Sequence, residues 1–81
     1  MPSPYDPEPA KVIAREGIPK AVEHRKRLLQ VKEILNVWRI DDEWWRKPIS
    51  RFYYLVEFPN GLRLTVFCDL ITGKWYRHNW V

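Results

Sequence analysis

Two runs in the C-terminal half, Arg51–Phe58 and Leu62–Leu70, are rich in aromatic and β-branched residues and predict strands. Between them stands Pro59-Asn60-Gly61, which fits a three-residue hairpin loop built from a type I turn and a left-handed last residue. Counting outward from a Phe58–Leu62 pair sets Phe52, Tyr54, Val56 and Phe58 opposite Cys68, Val66, Leu64 and Leu62 on one face. The other face then pairs Arg51 with Asp69, Tyr53 with Phe67, Leu55 with Thr65, and Glu57 with Arg63. This register gives one apolar face and two opposite-charge pairs, and a slip of one residue would mix both faces. Ile71-Thr72-Gly73 reads as a second three-residue loop, pairing Leu70 with Lys74. Tyr76, His78 and Trp80 then join the apolar face, while Trp75, Arg77 and Asn79 join the outer one, completing a three-strand meander.

Upstream the pattern is less decisive. Residues 28–39 predict another long strand, with Leu29, Val31, Leu35 and Val37 on one face, interrupted by Glu33. Residues 19–30 fit two descriptions. Ala21, Val22, Leu28 and Leu29 form one stripe of a helix, with Glu23 and Arg27 at the favourable i,i+4 spacing. They fit equally well a strand, a basic turn at Arg25-Lys26-Arg27 and a return strand. Prolines at positions 2, 4, 7 and 9 oppose regular hydrogen bonding. The expected organisation is therefore a disordered Pro-rich leader over 1–17 and a single β domain over 18–81. Within the leader, Val12, Ile13 and Ala14 are the residues suited to docking on the domain. The fold class is all-β, a small antiparallel sheet or partly open barrel of about five strands, the alternative being α+β with a helix at 19–30.

Composition sharpens this picture in three ways. Five Trp, four Tyr and three Phe in 81 residues supply the area that a small core needs without disulfides. Cys68 is the only cysteine, so no internal disulfide forms and a cytoplasmic location is expected. No apolar stretch approaches the roughly 20 residues of a membrane-spanning helix. Charge is uneven: residues 1–17 carry −1 and the remainder +5, out of a net +4. A basic domain with an acidic leader suits an anionic partner as well as simple solubility.

A family resemblance rests on particular residues. Between Val22 and Trp80 the chain has the basic turn Arg25-Lys26-Arg27, then Val31-Lys32-Glu33-Ile34-Leu35 followed by Trp38. The pair Trp44-Trp45, Arg51 with Tyr53, and finally Asp69, Gly73 and Trp75 complete the pattern. It resembles a poorly characterised bacterial family of small domains found alone or linked with Y-family DNA polymerases and their degenerate relatives in mutagenic DNA repair. The sequence departs from that pattern at Lys26, where glycine is common, and at His24, where an aromatic is common. The resemblance implies two strands over residues 19–38 and a DNA-repair or translesion-synthesis setting.

Catalytic chemistry finds little support. Asp41-Asp42-Glu43 reads as a solvated acidic turn without the spacing that lets ligands converge on a metal. His24 and His78 lack cysteine partners at zinc spacing, and three glycines make no phosphate-cradling loop. No enzyme, cofactor or metal is expected. Binding is better founded. The predicted outer face gathers Tyr53, Phe67 and Trp75 beside Arg51, Arg63 and Arg77, the mixture that stacks bases and meets phosphates in single-stranded nucleic acid binders. The same face would serve as core if the first hairpin or Trp44-Trp45 covered it. Arg25, Lys26 and Arg27 either track a phosphate backbone or form a solvated hairpin tip. Trp44, Trp45 and Arg46 are the candidates for docking a polymerase-related protein or a second copy of the chain, since Trp and Arg dominate such contacts. Equally, one of the two tryptophans would plug the end of a barrel.

Overall fold

A computed structural model describes residues 8–44 and 47–78. The chain is all-β, and among the described residues there is no helix, so none is long and apolar enough to cross a membrane. Among the described residues the eight strands are β1 (Glu8–Pro9), β2 (Val12–Arg15), β3 (Ile18–His24), β4 (Arg27–Gln30), β5 (Glu33–Trp44), β6 (Lys47–Glu57), β7 (Arg63–Asp69) and β8 (Trp75–Arg77). They form a five-stranded sheet in the order β1-β8-β7-β6-β5 and a three-stranded sheet β2-β3-β4, with every pairing antiparallel.

The β6–β7 hairpin follows the sequence reading residue for residue, from Arg51 opposite Asp69 to Glu57 opposite Arg63. The Phe58 N–H donates to the Leu62 carbonyl at 2.9 Å, and Gly61 takes φ +86° in the left-handed region. Glu57 and Arg63 form the expected ion pair at 3.0 Å. Arg51 and Asp69 face one another without forming theirs, because the Asp69 carboxylate instead accepts the N–H groups of Ile71 and Thr72.

That side-chain cap changes the next turn. The loop after β7 has four residues, Leu70 to Gly73, closed by the Asp69 N–H on the Lys74 carbonyl at 2.8 Å. The expected Leu70–Lys74 pair is thus replaced by a register in which Cys68 faces Trp75, Phe67 faces Tyr76 and Val66 faces Arg77. A one-residue shift exchanges the two faces of a strand. Trp75 and Arg77 stand on the inner face, and Tyr76 on the outer one.

The leader expectation also needs correction. Residues 1–7 lie outside the described residues, but from Glu8 onward the chain is in the sheets. Pro9 is accommodated because β1 is a two-residue edge strand, where a missing N–H interrupts no ladder. The alternative helix over 19–30 is replaced by β3 and β4, joined at Arg25-Lys26. The single strand expected over 28–39 is broken at Val31-Lys32 and divided between the sheets. A bulge at Leu35 then shifts the alternation, so Ile34 packs inward with Leu29 and Val31 while Leu35 and Val37 are exposed. The acidic triplet lies within β5 rather than in a turn.

The core lies between the sheets. Val22 of β3 meets Tyr54, Val56, Phe58 and Val66, with Val12, Leu29, Ile34 and Trp75 packed around them. The Tyr54 hydroxyl donates to the Gly17 carbonyl at 2.9 Å and ties the β2–β3 turn to β6.

Candidate functional site

The sequence grouped six residues on one outer face, and the structure divides them. Tyr53 and Phe67 are on that face but only 5% and 1% exposed. Their rings lie 4.8 Å apart, Trp38 stacks on Tyr53 at 5.3 Å, Tyr76 stacks on Phe67 at 5.3 Å, and His78 touches both. Arg51 lies over the Phe67 ring at 4.7 Å and donates to the Tyr53 hydroxyl at 3.3 Å. Burial of the His78 imidazole, with the Arg51 charge adding to it, lowers its pKa and favours the neutral ring. Tyr53 and Phe67 are therefore a second core, not open stacking platforms. Trp38, Tyr76 and His78, which the sequence reading did not place here, form its half-buried surface. The Leu35 bulge and the four-residue loop set their phase, and neither was evident in the residue pattern.

On the opposite face, Trp75 packs against Tyr54 with ring centres 5.8 Å apart. Arg77 is held by Glu8 at 2.9 Å and donates to His24 Nδ1 at 3.3 Å. Since a guanidinium only donates, Nδ1 is the acceptor in this contact. Arg63 stays at the outer margin, neutralised by Glu57, which also meets Lys32 at 4.0 Å.

The basic turn is different. His24 pairs with Arg27, leaving Arg25 and Lys26 as a two-residue hairpin loop with φ +50° and +64°. A loop with both central residues left-handed favours Asn-Gly, and side chains with a Cβ are strained there. Arg25, Lys26 and Arg27 are all exposed, and none forms an ion pair among the described residues. Arg39, Arg63 and Arg77, by contrast, each have a carboxylate partner. Beside the turn is a cleft of about 440 Å³ lined by His24, Arg25, Arg27, Leu29, Asn60 and Leu62. Its walls come from the β3–β4 and β6–β7 turns, more than thirty residues apart at their closest wall residues, Leu29 and Asn60, which is why the pattern of either hairpin alone did not reveal it. Asn60 Oδ1 accepts the Leu62 N–H at 3.0 Å, so the side-chain amide keeps its N–H donors for other contacts.

Strand alternation sends Asp42 to the face opposite Asp41 and Glu43. Among the described residues no three His, Cys, Asp or Glu side chains gather in a metal-binding arrangement. Cys68 is half-buried, and burial, with Asp69 adding to it, raises its thiol pKa and works against thiolate chemistry. Trp44 ends β5 opposite Lys47, while Trp45 and Arg46 lie outside the described residues. No protein-family model, curated protein or solved structure matches the chain.

Proposed function

We propose that this protein is a non-enzymatic module that binds single-stranded nucleic acid, in the DNA-repair or translesion setting that the family resemblance implies. The observation that carries the reading is the unneutralised run Arg25-Lys26-Arg27 on a strained turn beside the cleft. Three adjacent cations without carboxylate partners among the described residues suit a phosphate backbone, and binding one releases counterions. The cleft falls within the roughly 300–1,000 Å³ of small-ligand sites and suits one splayed nucleotide better than a duplex. Leu29 and Leu62 offer it an apolar wall, and Asn60 and His24 offer polar edges. This moves the interface from the aromatic outer face to the end of the three-stranded sheet.

The test is a titration of labelled single-stranded and duplex oligonucleotides at two salt concentrations. Replacing Arg25, Lys26 and Arg27 together with alanine should flatten the slope of log K against log salt by about 2, at roughly 0.7 per phosphate contact on a single strand. Unchanged affinity and slope in that variant would refute the assignment. Docking of a polymerase-related protein is the second reading, favoured by exposed Val37 and Ile40 on the hairpin that ends near Trp44. Such apolar contacts would hardly respond to salt.

A further inference from the structure

β5 is twelve residues long and stands at the edge of the five-stranded sheet. Long edges invite pairing with another chain, and proteins commonly blunt them. Here the blunting is partial. Asn36 Oδ1 accepts the Val37 N–H at 2.9 Å and Asp42 Oδ1 accepts the Glu43 N–H at 2.7 Å. These caps mark the side of β5 that faces away from β6. By alternation the main-chain groups of Arg39 and Asp41 point the same way, and they have no partner strand among the described residues. An open stretch is left between two capped positions.

The side chains on that stretch are arranged about Ile40. Arg39 and Asp41 share one face, joined by Arg39 Nε on Asp41 Oδ2 at 2.7 Å, with Ser50 Oγ also donating to Asp41 at 2.7 Å. Both lie exposed, and Ile40 is 40% exposed on the other face. An antiparallel copy of β5 centred on Ile40 sets Arg39 opposite the second Asp41 and Asp41 opposite the second Arg39. Those two positions are also the ones with outward N–H and C=O groups, so the hydrogen-bonded pairs and the opposite charges fall together. Each charge in the resulting square has only opposite charges along its sides. Ile40 meets its own copy across the axis, where side chains come closest.

From this self-complementarity we infer that the chain forms a two-fold dimer by pairing the β5 edges about Ile40, joining two five-stranded sheets into one of ten strands. The occupant of the edge is a second copy because the charge order fits its own reverse. The contact is independent of the basic cleft.

Sedimentation equilibrium of the intact chain should show mass rising from one copy to two with concentration. Arg39→Asp and Asp41→Arg each place like charges on both symmetry-related pairs and should weaken association by about tenfold or more. Mixing the two single variants restores opposite charges at both pairs, so a one-to-one heterodimer should form where neither variant pairs with itself. Circular dichroism would confirm that each variant keeps its strands. A single-copy mass at the highest soluble wild-type concentration would overturn the inference. So would a dimer indifferent to the single reversals, or variants that stay apart when mixed.

Discussion

The two faces of the five-stranded sheet bury their residues by different means. The inner face has the second sheet over it: Val56, Val66 and Phe58 are buried beside Tyr54, with Val22 of β3 packed against them. The outer face reaches similar burial at Tyr53 and Phe67 with rings from its own strands and the residue following β8, Trp38, Tyr76 and His78, and the Arg51 guanidinium. A sheet face short of a second layer can be closed by large flat side chains lying over their neighbours. Stacked and tilted ring pairs add about 0.5–1.5 kcal/mol each beyond area burial. An aromatic sheet face beside an arginine is therefore a weak sign of a ligand surface when the rings are already partnered.

The most severe way to break this comparison is to remove one ring from each side. Phe67→Ala on the outer face should cost about 3–5 kcal/mol, as much as Phe58→Ala on the inner one, because both are 1% exposed. Denaturant unfolding of the two variants measures this. A loss below about 1 kcal/mol for Phe67 would mean that the outer face is not core.

A smaller effect sharpens the register on which both faces depend. Gly61→Ala should destabilise by about 1 kcal/mol through its positive φ alone, since a Cβ there meets nothing within 4 Å. A thermal midpoint unchanged by the substitution would contradict the left-handed loop.

The smallest expected effect is a pH dependence confined to the outer face. The folded pKa of His78 is lowered, so the neutral ring is the form the fold favours. Its contribution is complete above the unfolded value of about 6.5 and is lost as pH falls below that value and through the lowered folded one. Thermal midpoints should decline on acidification across this window, and His78→Gln should remove that part of the decline. An identical profile in the variant would assign the pH response elsewhere.

How much of this was legible depended on whether local chemistry fixed a unique answer. Pro59-Asn60-Gly61 matched one loop geometry, so the β6–β7 register followed by counting. A final glycine after Ile71-Thr72 fits three-residue and four-residue loops alike, and the deciding term was the Asp69 carboxylate capping Ile71 and Thr72. One residue of difference then moved Trp75 and Arg77 to the inner face. Pro9 argued against pairing, yet a two-residue edge strand places no demand that proline fails to meet. Of the candidate site, the basic turn was visible as a charge run. The cleft required knowledge that the Asn60 turn lies beside it, a tertiary fact with no sequence periodicity.

The left-handed Arg25-Lys26 turn has an implication for the protein's evolution. At this turn Asn-Gly would relieve the backbone strain, and a chain selected for heat resistance alone would drift in that direction. It would become sturdier and lose two of the three adjacent cations. Laboratory selection for thermostability, run without demanding any activity, should enrich changes at Arg25 and Lys26. Adding a requirement for anion binding should suppress them, and the difference between the two selections measures what keeps charge on a turn that glycine would fit better.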